Sequence, residues 1–189
     1  MDVLVPFAVA EPKSRLAPVL TPDERREFAR AMLADVLDAI VLAGGTPHIL
    51  ATEPFDPAVD IPGSLDPPVV VDDRPLTDAV NTALERHGHT ASGSTIATDT
   101  TGDSAFPCED GVAVVMADLA LATPYALTRL FEPDRDGNPS EESPADVTIA
   151  PRPGGGTNAT AVPQPALRVD YHGASYLDHR RAAQRLDAT

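Results

Sequence analysis

Lysine is nearly absent from this sequence: of its 14 basic residues 13 are Arg, and Lys13 stands alone. Cysteine is equally scarce. A single cysteine, Cys108, excludes an internal disulfide and any metal site built from several cysteines. Positive charge as a whole is short, with 14 Lys+Arg against 29 Asp+Glu and a formal net charge of −15. Such a chain is a poor match for nucleic acid or for an anionic membrane surface, since both are gripped through Lys and Arg. Long apolar runs are missing too. Stretches such as Val112–Met116 fall far short of the roughly 20 residues that span a bilayer. No basic segment followed by an apolar one opens the chain, so export through such a signal is not expected, and the expected location is cytoplasmic.

At 189 residues and 42% hydrophobic content, the chain has the length of one domain and enough apolar material for a core. The acids are mostly aspartate, 20 Asp against 9 Glu. An aspartate-rich, lysine-poor, strongly negative surface keeps hydrated carboxylates outward. High ionic strength screens the self-repulsion of that charge. The composition therefore reads as salt adaptation, with an ordinary acidic cytosolic protein as the alternative. In either setting the one lysine retained is a candidate for a specific task.

Val3–Phe7 is a short run of β-branched and aromatic residues and predicts a buried strand. A loop follows over Ala8–Val19, carrying Pro12, Lys13, Arg15 and Pro18. Thr21-Pro22-Asp23-Glu24 predicts a helix start, with Thr21 as N-cap and Glu24 closing a capping box. Phe28, Met32, Leu33, Val36, Leu37 and Ile40 continue at helical spacing until Gly44-Gly45. His48–Thr52 predicts a second strand, Pro67–Val71 a third, and Thr77–Arg86 a second helix. Gly111–Met116 is the strongest strand signal, and Thr123-Pro124 starts a helix through Leu130. Val147–Pro151 and Leu167–Tyr171 predict further strands, and Tyr176 to about Arg185 a last helix. Polar surface loops are expected near 87–110 and 132–144. This alternation predicts an α/β fold, a mainly parallel sheet between helices, in a single domain over 1–189.

In open parallel sheets, ligands bind beyond the carboxyl ends of the strands. Three features fall there. Lys13 as a point charge and Arg15 as a bidentate fork could neutralise a triphosphate; the alternative is two solvated loop charges. Asp118, just after the central strand, offers hard oxygen ligands for Mg²⁺ that bridges phosphates, or else is an N-cap or turn residue. Gly154-Gly155-Gly156-Thr157-Asn158 lets backbone N–H groups approach an anion, with a hydroxyl from Thr157, or else is a flexible turn. It is neither a P-loop nor a GxGxxG fingerprint. Gly173-Ala174-Ser175 offers a second small anion pocket at a helix start, with His179 on the same side. The alternative there is an ordinary capped helix with a surface histidine. No Gly-x-Ser-x-Gly elbow appears, which argues against a serine triad, and Cys108 reads as a bystander.

Taken in order, Val3-Leu4-Val5-Pro6-Phe7, Pro12-Lys13-Ser14-Arg15-Leu16, Leu20–Arg25 and the helix through Met32–Leu37 resemble the start of the 2-phospho-L-lactate guanylyltransferases. The likeness continues through Pro75–Asn81, Met116-Ala117-Asp118-Leu119, Ala150-Pro151 with Gly154–Asn158, and Gly173-Ala174-Ser175 with His179. It covers nearly the whole chain, with gaps at the two polar loops, and the salt-adapted composition fits a halophilic archaeal member.

The resemblance implies a Rossmann-like nucleotidyltransferase fold of the kind seen in molybdopterin-guanylyl transfer. It implies the joining of GTP and 2-phospho-L-lactate to give lactyl-2-diphospho-5′-guanosine and pyrophosphate, on the route to coenzyme F-420. The alternatives are a sibling enzyme using phosphoenolpyruvate, 3-phosphoglycerate or another nucleotide, and a non-catalytic nucleotide-binding protein of the same fold. By the resemblance, Lys13 and Arg15 hold the triphosphate, Asp118 binds Mg²⁺, and Asp78 and Asn81 lie near the nucleoside. Thr157, Gly173 and Ser175 hold the phosphate and carboxylate of the small acid. A homodimer is implied as well. Family members typically carry an Asp-x-Asp-Thr-Pro-like motif near the C-terminus. Here the sequence reads Asp187-Ala188-Thr189, with Asp170, Asp178 and Asp187 as the candidate substitutes.

Overall fold

The computed structural model describes residues 1–10, 12–63, 65–90, 111–119, 122–132, 147–162 and 167–186. Six strands form one sheet: β1 (Asp2–Phe7), β2 (Thr46–Ala51), β3 (Val69–Val71), β4 (Val112–Val115), β5 (Thr148–Pro151) and β6 (Thr157–Val162). The helices are α1 (Pro22–Leu42), α2 (Pro57–Asp60), α3 (Leu76–Thr90), α4 (Pro124–Phe131) and α5 (Ser175–Leu186). The spatial order is β3-β2-β1-β4-β6-β5. The first four strands run parallel, as the strand–helix–strand opening predicts. β6 is antiparallel to β4, and β5 is antiparallel to β6, so β5 points the same way as the first four.

A strand covered on both faces must be apolar at every position, and successive side chains go to opposite faces. That alternation divides the core in two. Val3, Val5 and Phe7, with Ile49, Ala51, Ala113 and Val115, pack against Leu33, Leu37 and Ile40 of α1 and Leu127 and Phe131 of α4. Leu4, Leu50, Val112 and Val114 face the other way, onto Ala79, Val80, Ala83 and Leu84 of α3 and onto Leu167 and Val169.

The predicted capping box forms. Glu24 N–H donates to Thr21 Oγ1 at 3.3 Å, and Thr21 N–H donates to Glu24 Oε2 at 2.8 Å. The helix ends before Gly44 and Gly45. A Cβ on Gly45 would come within 2.9 Å of the Ile40 and Val3 side chains, so only glycine lets the turn sit this close to the sheet. Phe28 leaves the predicted stripe and is exposed. Ala29, four residues before Leu33, takes the core position instead.

Three expectations are corrected. Leu167–Tyr171 pairs with no strand among the described residues. It lies on α3, where Asn81 Nδ2 donates to Val169 O at 2.9 Å and Val169 N–H donates to Asn81 Oδ1 at 2.9 Å. Tyr171 N–H donates to Thr77 Oγ1 at 3.1 Å. Side chains thus satisfy backbone groups that a ladder would otherwise pair. Second, Thr157 and Asn158 are not the end of a glycine loop but the start of β6, whose small residues give little apolar contrast to read. Third, α3 runs on to Thr90, so residues 87–90, expected in a loop, are helical. The rest of that stretch, most of 132–144, Cys108 and Asp187 lie outside the described residues. Among the described residues no helix is long and apolar enough to cross a membrane.

Candidate active site

The chain passes from β1 to β2 on one side and later returns to β4 on the other. At such a reversal the connecting segments diverge and leave a crevice beyond the carboxyl ends of the strands. A cleft of about 610 Å³ lies there. The segment after β1 lines it with Pro12, Lys13, Ser14, Arg15 and Leu16. Thr52 follows β2, Asp72 and Arg74 follow β3, Met116, Ala117 and Asp118 follow β4, and Arg152 follows β5. Leu76 and Ala79 close it from the first turns of α3.

Lys13 has φ 55° and ψ 41°, the left-handed region, and no other non-glycine among the described residues has positive φ. That conformation costs about 1–2 kcal/mol. It starts a single 3₁₀ turn at Ser14–Leu16, in which Leu16 N–H donates to Lys13 O at 2.8 Å. The turn brings Lys13 Nζ to 2.8 Å from Asp118 Oδ2. The two side chains are 21% and 54% exposed. An ion pair this open contributes about 0–1 kcal/mol, which does not offset the strain. Stability therefore does not explain the arrangement. A lysine held in a strained backbone beside a half-exposed carboxylate, at the sheet rim, suits a ligand carrying both negative charge and a cation.

Arg74 and Arg152 were not anticipated as site residues, although Arg152 directly follows β5 and Arg74 stands three residues past the end of β3. Arg74 is engaged: Nε donates to Asp72 Oδ1 at 2.8 Å, Nη1 to Thr82 Oγ1 at 2.8 Å, and Nη2 to Asp72 Oδ2. The hydrogen bond from Arg74 holds the Asp72 carboxyl below its ordinary range. Arg15 and Arg152 are exposed, and neither has a carboxylate partner among the described residues. Four cations thus face two carboxylates in a chain whose formal net charge is −15. The cleft therefore carries a local excess of positive charge, and low-dielectric walls strengthen its pull on an anion.

A second polar grouping lies beside the first. Thr157, Ser175 and His179 are buried at 7%, 3% and 0% exposure. Thr157 Oγ1 is 2.9 Å from His179 Nδ1, and Ser175 Oγ is 3.2 Å from Thr157 Oγ1. Asp170 N–H donates to His179 Nε2 at 2.9 Å. Burial pushes the His179 imidazole below its ordinary pKa, against the pull of Asp170 and Asp178. His179 is therefore not the surface histidine weighed as the alternative. Backbone bonds join this grouping to the cleft. Met116 N–H donates to Asn158 O at 3.0 Å, and Arg152 N–H donates to Gly156 O at 2.8 Å. Tyr176 N–H donates to Gly155 O at 3.0 Å, tying the glycine turn to the start of α5.

Comparison with known proteins decides the family. Residues 1–90 and 97–188 match the family described as "Guanylyl transferase CofC like". The chain belongs to this guanylyl transferase family. A 2-phospho-L-lactate guanylyltransferase of Halorubrum lacusprofundi is 52% identical over 189 residues, spanning 100% of this chain and 73% of the relative. The protein of the same name from Haloterrigena turkmenica is 51% identical over 196 residues, spanning 100% of this chain and 74% of the relative. Its namesake from Haloferax volcanii is 49% identical over 184 residues, spanning 97% and 71%. Among solved structures, a protein described as a nucleotide-diphospho-sugar transferase from Desulfovibrio desulfuricans aligns with a TM-score of 0.63 at 15% identity. The match covers 99% of this chain and 76% of that one, and at this identity it speaks for the fold alone.

Within this guanylyl transferase fold, Lys13, Arg15 and Asp118 come together in one cleft, and Thr157 and Ser175 come together with His179. Gly173 sits in the turn before α5 with φ 59°. Asp78 and Asn81 stand apart from both groups. Asp78 is exposed on the first turn of α3 and does not line the cleft. The Asn81 carboxamide is committed at both ends to the Val169 backbone. For Mg²⁺ the donor set fits. Asp118 gives Oδ2 to Lys13, and no partner occupies Oδ1 among the described residues. No group of three His, Cys, Asp or Glu converges among the described residues. A metal there would draw most of its ligands from phosphate and water, as Mg²⁺ commonly does.

Proposed function

We propose that this chain is a guanylyltransferase that joins GTP to 2-phospho-L-lactate, giving lactyl-2-diphospho-5′-guanosine and pyrophosphate, in coenzyme F-420 biosynthesis. The observation that carries this reading is the contact of Lys13 with Asp118 at the sheet's reversal point, in a chain of the guanylyl transferase family. A phosphate oxygen of the acid attacks the α-phosphorus of GTP in line, and the bond to the β-phosphate breaks to release pyrophosphate. The protein's share in such a transfer is position and charge.

Lys13 and Arg15 take the triphosphate oxygens, Lys13 as a compact charge and Arg15 as a fork, and both oppose charge growing on the departing pyrophosphate. When the triphosphate draws Lys13 away, Asp118 is freed. Its carboxylate would hold Mg²⁺, which neutralises phosphate oxygens and polarises the reacting phosphorus. Thr157, Gly173 and Ser175 receive the small acid, next to Asp118 through the Met116–Asn158 backbone bond. Salt adaptation, a cytoplasmic location and a homodimer belong to the same reading.

The test is direct. Purified protein in concentrated KCl receives GTP, Mg²⁺ and, in turn, 2-phospho-L-lactate, phosphoenolpyruvate and 3-phosphoglycerate, and pyrophosphate is followed. Release with 2-phospho-L-lactate, fastest among the acids, is expected. Silence with every acid would sink the reading.

A further inference from the structure

We propose that His179 is a positioning residue that holds the Thr157 hydroxyl as a hydrogen-bond donor directed at the acceptor acid. This rests on the reading above, in which Thr157 receives that acid. A backbone amide sets the tautomer of His179. Asp170 N–H can only donate, so His179 Nε2, 2.9 Å away, presents its lone pair. The neutral ring then carries its proton on Nδ1, and that N–H donates to Thr157 Oγ1 at 2.9 Å. The Ser175 hydroxyl lies 3.2 Å from the same oxygen, and either hydroxyl can donate to the other. A hydroxyl oxygen has two lone pairs and one proton. One lone pair of Thr157 is then filled by the imidazole N–H, and its proton must point away from the ring. Among the described residues the Ser175 hydroxyl, a neutral oxygen 3.2 Å away, is the one group placed to accept it.

A threonine held this way cannot donate to the ring and keeps its proton for another oxygen. It selects an acceptor, and an anionic oxygen is the strongest one. The surroundings keep the imidazole from adopting another role. His179 has 0% exposure, and the Tyr171 ring meets it edge-on with centroids 5.1 Å apart. Fixing a hydroxyl in advance removes reorganisation that binding would otherwise require. The bland reading is that His179 merely pins the Asp170 segment to α5. The two readings differ in which ring nitrogen matters.

Two variants separate them. In His179→Asn the amide nitrogen can replace Nδ1, so Thr157 keeps its donor while Asp170 N–H loses its acceptor. In His179→Gln the amide reaches the Nε2 position, so Asp170 can keep a partner while Thr157 loses one. For positioning, His179→Gln raises KM for the phosphorylated acid by about tenfold or more, with KM for GTP unchanged. His179→Asn stays within about threefold of the parent. Equal acid KM in the two variants, or a GTP KM that moves with it, overturns the proposal. A parent protein with no turnover defeats the guanylyltransferase reading instead. The proposal keeps a test that needs no turnover and no variant to fold. Nitrogen-15 NMR of the parent at neutral pH should show His179 as the Nδ1–H tautomer, and an Nε2–H tautomer or an imidazolium overturns it.

Discussion

Lys13 and Asp118 meet at an open rim, whereas Thr157, Ser175 and His179 meet where water is excluded. The first pair is loosely satisfied. Asp118 is more than half exposed, Arg15 and Arg152 stand nearby without carboxylate partners, and Lys13 bears a strained backbone. The second group is tightly satisfied, with both imidazole nitrogens engaged and the Thr157 and Ser175 hydroxyls in contact. On the proposed function, the difference follows from what each binds. A triphosphate brings large charge and a metal, so its site needs charges that can exchange partners. A small acid offers few oxygens, so its site needs a donor already aimed. Substitutions at the rim should therefore damage turnover far more than folding, and substitutions among buried polar groups should damage both.

The sharpest break in that comparison is Asp118→Ala. Loss of about a hundredfold or more in kcat/KM is expected, since on the proposed function it removes the carboxylate that would hold the metal and leaves Lys13 without its resting partner. The unfolding midpoint should hardly move, because an exposed pair contributes at most about 1 kcal/mol. Retained turnover would remove Asp118 from the chemistry. Equal loss of folding would make the rim a structural element after all.

Lys13→Gly sharpens the same contrast from the other partner. Glycine accepts φ 55° without strain, so relief of strain, the ion pair lost and the greater entropy of the unfolded glycine chain nearly cancel. The unfolding free energy should change by less than about 1 kcal/mol, while KM for GTP rises about tenfold or more. Circular dichroism melts and steady-state kinetics read the two sides. A GTP KM unaltered by the loss of Lys13 would end its role as phosphate anchor.

This rim was legible in the sequence because its signals are local. Lys13 is the single lysine, it follows an unmistakable strand, and Asp118 follows another. The rule that ligands gather beyond the carboxyl ends of parallel strands then brings the two together. The buried group was legible only in part. Ser175 and His179 share a helix face, but that face could equally have met solvent. What turns it inward is β6, a run of small residues that no periodicity reveals. Arg74 and Arg152 escaped for another reason: in a chain with 13 arginines, arginine is no signal by itself. Leu167–Tyr171 has a strand's composition, yet its backbone partners are side chains of α3, a choice made by tertiary packing.

Asn81→Ala probes the buried side of the comparison. Its amide makes two 2.9 Å bonds to the Val169 backbone, and alanine leaves a half-buried N–H and C=O unpaired. Destabilisation of about 1–3 kcal/mol is expected by urea titration, with KM for GTP near that of the parent. A rise in GTP KM without loss of stability would put Asn81 beside the nucleoside instead.

The mildest expected effect is a pH dependence carried by His179. Desolvation holds its folded pKa below the unfolded value near 6.5, so between the two the unfolded chain binds the proton and the folded chain does not. Stability should therefore be full above about 6.5 and decline as pH falls through that window. The groups facing the ring are Asp170, Asp178 and the Tyr171 phenol, and the two carboxylates moderate the decline without reversing it. Asp170 is itself held below its ordinary range by hydrogen bonds from His172, so its own contribution fades only in more acidic solution. Urea midpoints between pH of about 7.5 and about 5.5 should fall for the parent and stay nearly level for His179→Asn. A parent midpoint that is level, or one that rises on acidification, would mean that the imidazole accepts a proton inside the fold, and that the closed group is as adaptable as the open rim.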